Sequence, residues 1–229
     1  MKTAIRLLLL APFLILFGCT QSSQDLSDSF SLALFGHEPA TLTQNQVNDI
    51  PYASQIIEFG NNPQALVVLA WVESGVIQEP QALKWLSANN EMIVTQAGRV
   101  TKTANFPNTN LISIKADKTD PLARGLHLPT TPHHWSYTIS WQPGYHIEYE
   151  AQSRFEVIGE VEKQLPFEKR ILLHVKEIVS IPVIKHKSNN HYWLDPSSGE
   201  VISSEQTVIP NSATFKLTIA KPYQQEITQ

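Results

Sequence analysis

The chain is poor in cysteine, glycine and charge, and it lacks an apolar run long enough to cross a bilayer as a helix. One cysteine among 229 residues excludes an internal disulfide, and no Cys/His cluster offers a structural zinc site. With 17 Lys and Arg against 21 Asp and Glu, a formal −4, the chain has no phosphate-neutralising stripe, which argues against nucleic acid as a partner. There is no G-x-S-x-G elbow, no S-x-x-K followed by K-T-G, no glycine loop to cradle phosphate and no internal repeat. What is present is a 42% apolar composition with 20 Phe, Trp and Tyr residues. A chain of this length and content can bury a sizeable core without metal or disulfide staples and is not a disordered polymer.

The longest apolar run, Leu7 to Phe17, has 11 residues and includes Pro12, whereas a spanning helix needs roughly 20. Lys2 and Arg6 precede it and Gly18 ends it, the order of a basic segment, a short apolar core and a small residue found in a secretory signal. Cys19 follows directly, and Leu16-Phe17-Gly18-Cys19 resembles the bacterial lipobox, in which the thiol is acylated and the signal is cut just before it. The alternative is an ordinary signal peptide with a coincidental cysteine, but the chain's one cysteine falls at the cleavage point. Residues 1–18 are thus expected to be a lipoprotein signal peptide, residues 19–29 a lipid anchor with a flexible polar tether, and residues 30–229 a single β-rich periplasmic domain. Cleavage would remove Lys2 and Arg6 and no acidic side chain, leaving 15 basic and 21 acidic residues and a formal −6. So acidic a body binds anionic membrane surfaces poorly and holds to a membrane only through its lipid. Thr20, in place of the aspartate that favours inner-membrane retention in enterobacterial lipoproteins, points to the outer membrane.

One or two short helices are expected near the start, at Leu26–Phe35 and Gln44–Ile50, and β-rich runs dominate thereafter. The clearest hairpin lies between Trp135 and Val157. Trp135, Tyr137, Ile139 and Trp141 share one strand face, Gln142-Pro143-Gly144 supplies turn chemistry, and a three-residue loop would set Trp141 opposite Tyr145, Ile139 opposite Ile147 and Tyr137 opposite Tyr149. Arg170–Ile181 is a long strand, and residues 117–132 form a long connection. About nine to ten closely spaced strands without βαβ alternation predict an antiparallel barrel or sandwich. A transmembrane barrel is disfavoured, because Glu148, Glu150 and Arg154 would face lipid.

Chemistry-bearing residues are sparse. His133 and His134 are neighbours that an extended chain aims to opposite faces. His186 and His191 flank a turn and lack a third ligand, so no metal or other cofactor is expected. Glu148 and Glu150 share a strand face at about 7 Å, the order of separation of a glycosidase pair; a solvated charged row with Arg154 is the plainer reading. The aromatic stripe is either core or a platform on which sugar rings stack, and its tip residues Trp141 and Tyr145 are its best candidates for exposed contacts.

Several segments resemble the group 4 capsule polysaccharide lipoproteins, the GfcB/YjbF family. They are Phe17-Gly18-Cys19, Ile50-Pro51-Tyr52-Ala53-Ser54, Leu66-Val67-Val68-Leu69, the run from Gly98 to Thr103, Asp120-Pro121-Leu122, the run from Asn190 to Val201, Gln206 to Pro210, and Lys221-Pro222. Their order and spacing carry the likeness. The resemblance implies a β-rich outer-membrane lipoprotein, encoded with polysaccharide export proteins and without catalytic residues to transfer. Among the matched residues, Arg99 and Trp193 are candidate glycan or partner contacts, against plain structural readings. The function expected is non-enzymatic assistance in exopolysaccharide or capsule secretion or assembly, through export proteins or the glycan itself. The rivals are a glycan-modifying enzyme using Glu148 or Glu150, and a lipid or lipoprotein carrier with an apolar cavity.

Overall fold

The computed structural model describes residues 43–74 and 79–224. The expected signal peptide, Cys19, the expected tether and the expected helix at Leu26–Phe35 lie outside the described residues. The expected second helix forms as α1 (Gln44–Asp49). Thr43 caps it, its hydroxyl accepting from the Gln46 N–H while the Gln46 side chain accepts from the Thr43 N–H, a reciprocal capping box.

Twelve strands follow: β1 (Ser54–Phe59), β2 (Ala65–Glu73), β3 (Ala82–Leu86), β4 (Met92–Gln96), β5 (Arg99–Ala104), β6 (Asn110–Lys115), β7 (His134–Gln142), β8 (His146–Gln164), β9 (Lys169–Ile181), β10 (His186–Leu194), β11 (Val201–Gln206) and β12 (Phe215–Lys221). The expectation of nine to ten strands is thus low. The missed strand, β3, is five residues long, and only Leu83 and Trp85 mark its inward face. Each strand pairs antiparallel with its sequence neighbour, β12 pairs back onto β1, and the ladder breaks in one place, between β5 and β6. The result is a nearly closed antiparallel barrel.

Side chains substitute for the missing ladder at one end of that seam. The Leu111 N–H donates to Thr103 Oγ1 at 2.8 Å. The Asn110 amide both accepts from the Phe106 N–H and donates to the Phe106 carbonyl, each at 3.1 Å. Toward its other end β5 leans into the barrel. Arg99 and Val100 point to opposite faces of the strand, yet both are buried. The Val100 N–H donates to Gln206 Oε1 at 3.0 Å, and Gln206 Nε2 donates to the Gly98 carbonyl at 2.8 Å; the β11 amide thereby supplies the two backbone contacts a neighbouring strand would have made. Gly98 has φ +82°, and a Cβ there would lie 2.4 Å from the Val201 Cβ, so only glycine permits this approach of the β4–β5 turn to the far wall.

The lumen is filled. Trp85, Leu111, Trp135, Tyr137, Phe155, Tyr192 and Phe215 belong to one continuous core. A second, smaller cluster forms outside the wall, where a bulge between Val157 and Gly159 bends the distal β8–β9 hairpin. Val161, Leu165 and Leu172 of this arm pack on Trp193 and Ile202.

Candidate functional site

The most elaborate polar construction grows from the loop between β6 and β7. Asp120 precedes Pro121 and caps the short helix α2 (Pro121–Arg124), its Oδ1 accepting from the Leu122 N–H at 3.0 Å. The same carboxylate takes the Arg99 Nε–H and, at 3.3 Å, Nη2. On its other side Arg99 reaches Glu177 of β9, Nη1 to Oε2 at 3.1 Å and Nη2 to Oε1 at 2.9 Å. Glu177 is wholly buried, and its remaining acceptor capacity is taken by Ser153 Oγ at 2.5 Å, Asn190 Nδ2 at 2.8 Å and Tyr192 Oη at 3.0 Å. Burial opposes the charged form of Glu177, but the Arg99 guanidinium and the Ser153 and Asn190 bonds outweigh it and hold the carboxyl below its ordinary range. Burial likewise opposes the charge on Arg99, and Asp120 and Glu177 together override it, raising its pKa. Burial first, and Glu177 second among the raising influences, push the Tyr192 phenol well above its usual range. One cation between two carboxylates leaves the cluster one negative charge in excess.

Two cavities flank the Asp120–Leu122 corner. The first, about 490 Å³, opens where β5 leaves β6; Gln96, Thr101, Lys115, Asp117 and Lys118 contribute to its polar, charged lining. The second, about 390 Å³, lies at the basal end among the β4–β5 turn, α2 and the β10–β11 turn. Leu83, Leu122 and Ile219 give it apolar wall, and Gln55, His127 and Glu200 give it polar groups. His127 is wedged against glycine: a Cβ on Gly199 would lie 2.1 Å from Nδ1 and one on Gly125 2.7 Å from Cε1. Among the described residues its buried Nδ1 has no hydrogen-bond partner.

The four contact residues expected from sequence are not brought together. Arg99 is 3% exposed, with its donors committed to carboxylates inside the barrel. Trp141, expected at an exposed tip, is 6% exposed and stacks on His146 with centroids 4.4 Å apart. Tyr145 is 96% exposed at the β7–β8 turn. Trp193 is buried on the outer wall beneath the arm, stacked on His174 at 5.0 Å with Lys163 Nζ 3.3 Å from its ring centroid.

The Trp141 result follows from a register the turn alone did not reveal. Trp141 pairs with His146, Ile139 with Tyr149 and Tyr137 with Ala151, across a bulge. Glu148 stands in this bulge with φ +52°, its N–H on Ser140 Oγ at 2.9 Å and its carboxylate on Lys115 at 2.9 Å. The bulge turns Tyr145 and Ile147 outward and sets His146 against Trp141, while beyond it Ala151, Ser153 and Phe155 keep the inward face. Trp135 and Tyr137 are core, stacked at 4.3 Å. Glu148 and Glu150 are exposed and line neither large cavity. His191 meets His174, with Nε2 of His174 2.9 Å from Nδ1 of His191, in place of the partner His186. Among the described residues no three His, Cys, Asp or Glu side chains gather as metal ligands.

Sequence reasoning missed Glu177, His127 and His174. Glu177 had a signal: it is the one charged residue in the alternating series Leu173, Val175, Glu177, Val179, Ile181. His127 had none, because its cavity is assembled from segments far apart in the chain.

A family model described as "Group 4 capsule polysaccharide lipoprotein gfcB, YjbF" matches residues 27–219. The uncharacterized lipoprotein GfcB of Escherichia coli K12 is 28% identical over 220 residues, covering 95% of this chain and 99% of that protein. The uncharacterized lipoprotein YjbF of the same organism is 29% identical over 213 residues, covering 93% of this chain and 95% of that protein. The crystal structure of the hypothetical lipoprotein YmcC from Escherichia coli K12 shares the fold, with a TM-score of 0.73 at 23% identity over 91% of this chain and all of that one.

Proposed function

The chain belongs to the group 4 capsule polysaccharide lipoprotein family, and from that premise we propose that it is a non-enzymatic accessory of capsule or exopolysaccharide secretion. It is held on the outer membrane, facing the periplasm, by acylation of Cys19, and it acts through contact with the glycan or an export protein. The observation that carries this reading is the convergence at the basal end. Gly98 and Arg99, Asp120 to Leu122, and the run from Asn190 to Val201 are far apart in sequence, yet they meet in one buried ionic cluster and the walls of two adjoining cavities. Such a construction costs desolvation energy that an apolar core would avoid, which favours a recognition role over simple stability.

The rival readings have less support. An enzyme built on Glu148 and Glu150 would need them in a cleft, and they stand in solvent with Glu148 paired to Lys115. A carrier would need a continuous apolar cavity, and the lumen is packed with aromatic side chains around the Arg99 cluster. Deleting the gene should reduce secreted polysaccharide under producing conditions, and unchanged secretion would defeat the proposal. Cys19→Ser should block acylation and the cleavage that follows it and so keep the chain from the outer membrane; a mutant still processed and still membrane-bound would remove the anchor.

A further inference from the structure

We propose that the basal cavity is a binding site for an uncharged sugar unit, with His127 Nε2 as its hydrogen-bond anchor. This rests on the proposed role in polysaccharide secretion and narrows it to one site and one ligand chemistry.

Four observations carry the inference. The cavity's about 390 Å³ falls within the roughly 300–1,000 Å³ common for small-molecule sites. Its lining joins the apolar side chains Leu83, Leu122 and Ile219 to the polar groups Gln55, His127 and Glu200, which suits a pyranose, a molecule with C–H faces and a hydroxyl rim. Its charges balance, Arg124 against Glu200. The adjoining triad of Arg99, Asp120 and Glu177 adds a negative excess, so a carboxylated or phosphorylated sugar gains nothing here.

The fourth observation is the posture of His127. Its Nδ1 is packed at Gly199 and, among the described residues, lacks a partner, a costly situation for a buried polar atom. The ring occupies the space that a Cβ on Gly125 or Gly199 would need. Among the described residues Nε2 of His127 has no hydrogen-bond partner, so it is the ring nitrogen left to meet a ligand. A hydroxyl both donates and accepts, and it therefore satisfies Nε2 in either tautomer. No other uncharged group abundant in a polysaccharide does this as simply.

The test uses the full lipoprotein in phospholipid nanodiscs, avoiding sugar-headed detergents. Glucose, galactose and N-acetylglucosamine are the probes, with glucuronate as the anionic counterpart, read by saturation-transfer NMR titration. At least one neutral sugar should bind, and glucuronate should bind at least tenfold more weakly. Ala123→Phe, which fills the cavity from α2, should abolish binding. His127→Asn, which keeps a polar atom near Nδ1 only, should weaken it about tenfold, one hydrogen bond's worth. His127→Gln, which returns an amide near Nε2, should recover most of it. Thermal midpoints within a few degrees of the parent establish that the variants fold.

Tighter binding of glucuronate, binding untouched by Ala123→Phe, or equal loss in the Asn and Gln variants would each overturn the site. So would preferential binding of a fatty acid that Ala123→Phe blocks. If no sugar binds while gene deletion still lowers secreted polysaccharide, the inference fails and the export role stands. If deletion changes nothing, the role itself falls.

Discussion

Two places in this barrel use nearly the same parts and do different work with them. Inside, the guanidinium of Arg99 lies 4.8 Å from the Trp135 ring centroid and joins Asp120 and Glu177. Outside, the Lys163 ammonium lies 3.3 Å from the Trp193 centroid and 3.7 Å from Glu205, with His174 stacked on the same indole. Each set ties together elements that are not ladder neighbours: β5 to β9 within the lumen, and β8 to β10 and β11 on the wall. The difference is water. Arg99 and Glu177 are screened by nothing but protein, so each requires the other, whereas Lys163 and Glu205 keep solvent as an alternative partner. The choice of cation agrees with this. Arginine's planar fork serves two carboxylates at once, and a point-charge ammonium suffices where the ion pair keeps contact with solvent.

The largest expected effect comes from removing one inner partner. Arg99→Met leaves Asp120 and Glu177 facing each other in the core and should destabilise the fold by about 3–5 kcal/mol in urea unfolding. Neutralising all three, by Arg99→Met, Asp120→Asn and Glu177→Gln together, should recover most of that loss. If the single substitution costs no more than a surface mutation, the distinction between the two clusters collapses. The same cluster dictates behaviour in acid. The Glu177 carboxyl is held below its unfolded value, so its contribution is complete above the ordinary carboxyl range near pH 4–5. It is lost as pH falls through the lower folded pKa.

How much of this contrast is legible in the amino-acid order depends on how local each feature is. The alternation of Trp135, Tyr137, Ile139 and Trp141 gives β7 its inward face directly, and the β-rich character follows from many such runs. The partner register does not follow, because the bulge at Glu148 depends on Ser140 and Lys115, residues that no turn rule mentions. Arg99 is the harder case. In a short run of alternating polar and apolar residues it reads as surface, and what buries it are carboxylates 21 and 78 positions away. Glu177, alone in an apolar series, is the visible half of that pair. Trp193 also misleads: its neighbours Tyr192 and Leu194 enter the core, so strand periodicity sends Trp193 outward, and only the arm's return explains why it is covered.

The outer cluster should respond to pH before the inner one does. Partial burial first, then His191 and Lys163, lower the His174 pKa below its ordinary value, while Glu205 pulls the other way. The unfolded or detached state therefore binds more protons, so this latch contributes fully above about pH 6.5 and is lost as pH falls through the folded His174 pKa. Amide protection in residues 159–172, corrected for the intrinsic pH dependence of exchange, should fall between pH 7.5 and 5.5 more than protection in β12 does. His174→Asn should flatten that difference. An arm whose protection is insensitive to pH in the parent protein would mean that the apolar packing of Leu172 on Trp193 holds it unaided.

The smallest effect separates charge from cover. Lys163 shields the face of Trp193 with its methylenes as well as its ammonium, and partial burial lowers its pKa despite Glu205. Lys163→Met keeps the length and apolar stem and discards the charge; Lys163→Ala discards both. A partly exposed cation over the covered indole and one solvent-screened ion pair together contribute about 1–2 kcal/mol. Lys163→Met should therefore change the unfolding free energy by less than that and remove the cluster's salt dependence, while Lys163→Ala should cost more and speed exchange in the arm. Equal losses for Met and Ala, shrinking in high salt, would show charge dominating here as it does around Arg99. The two clusters would then differ in degree of burial alone and not in which force closes the contact.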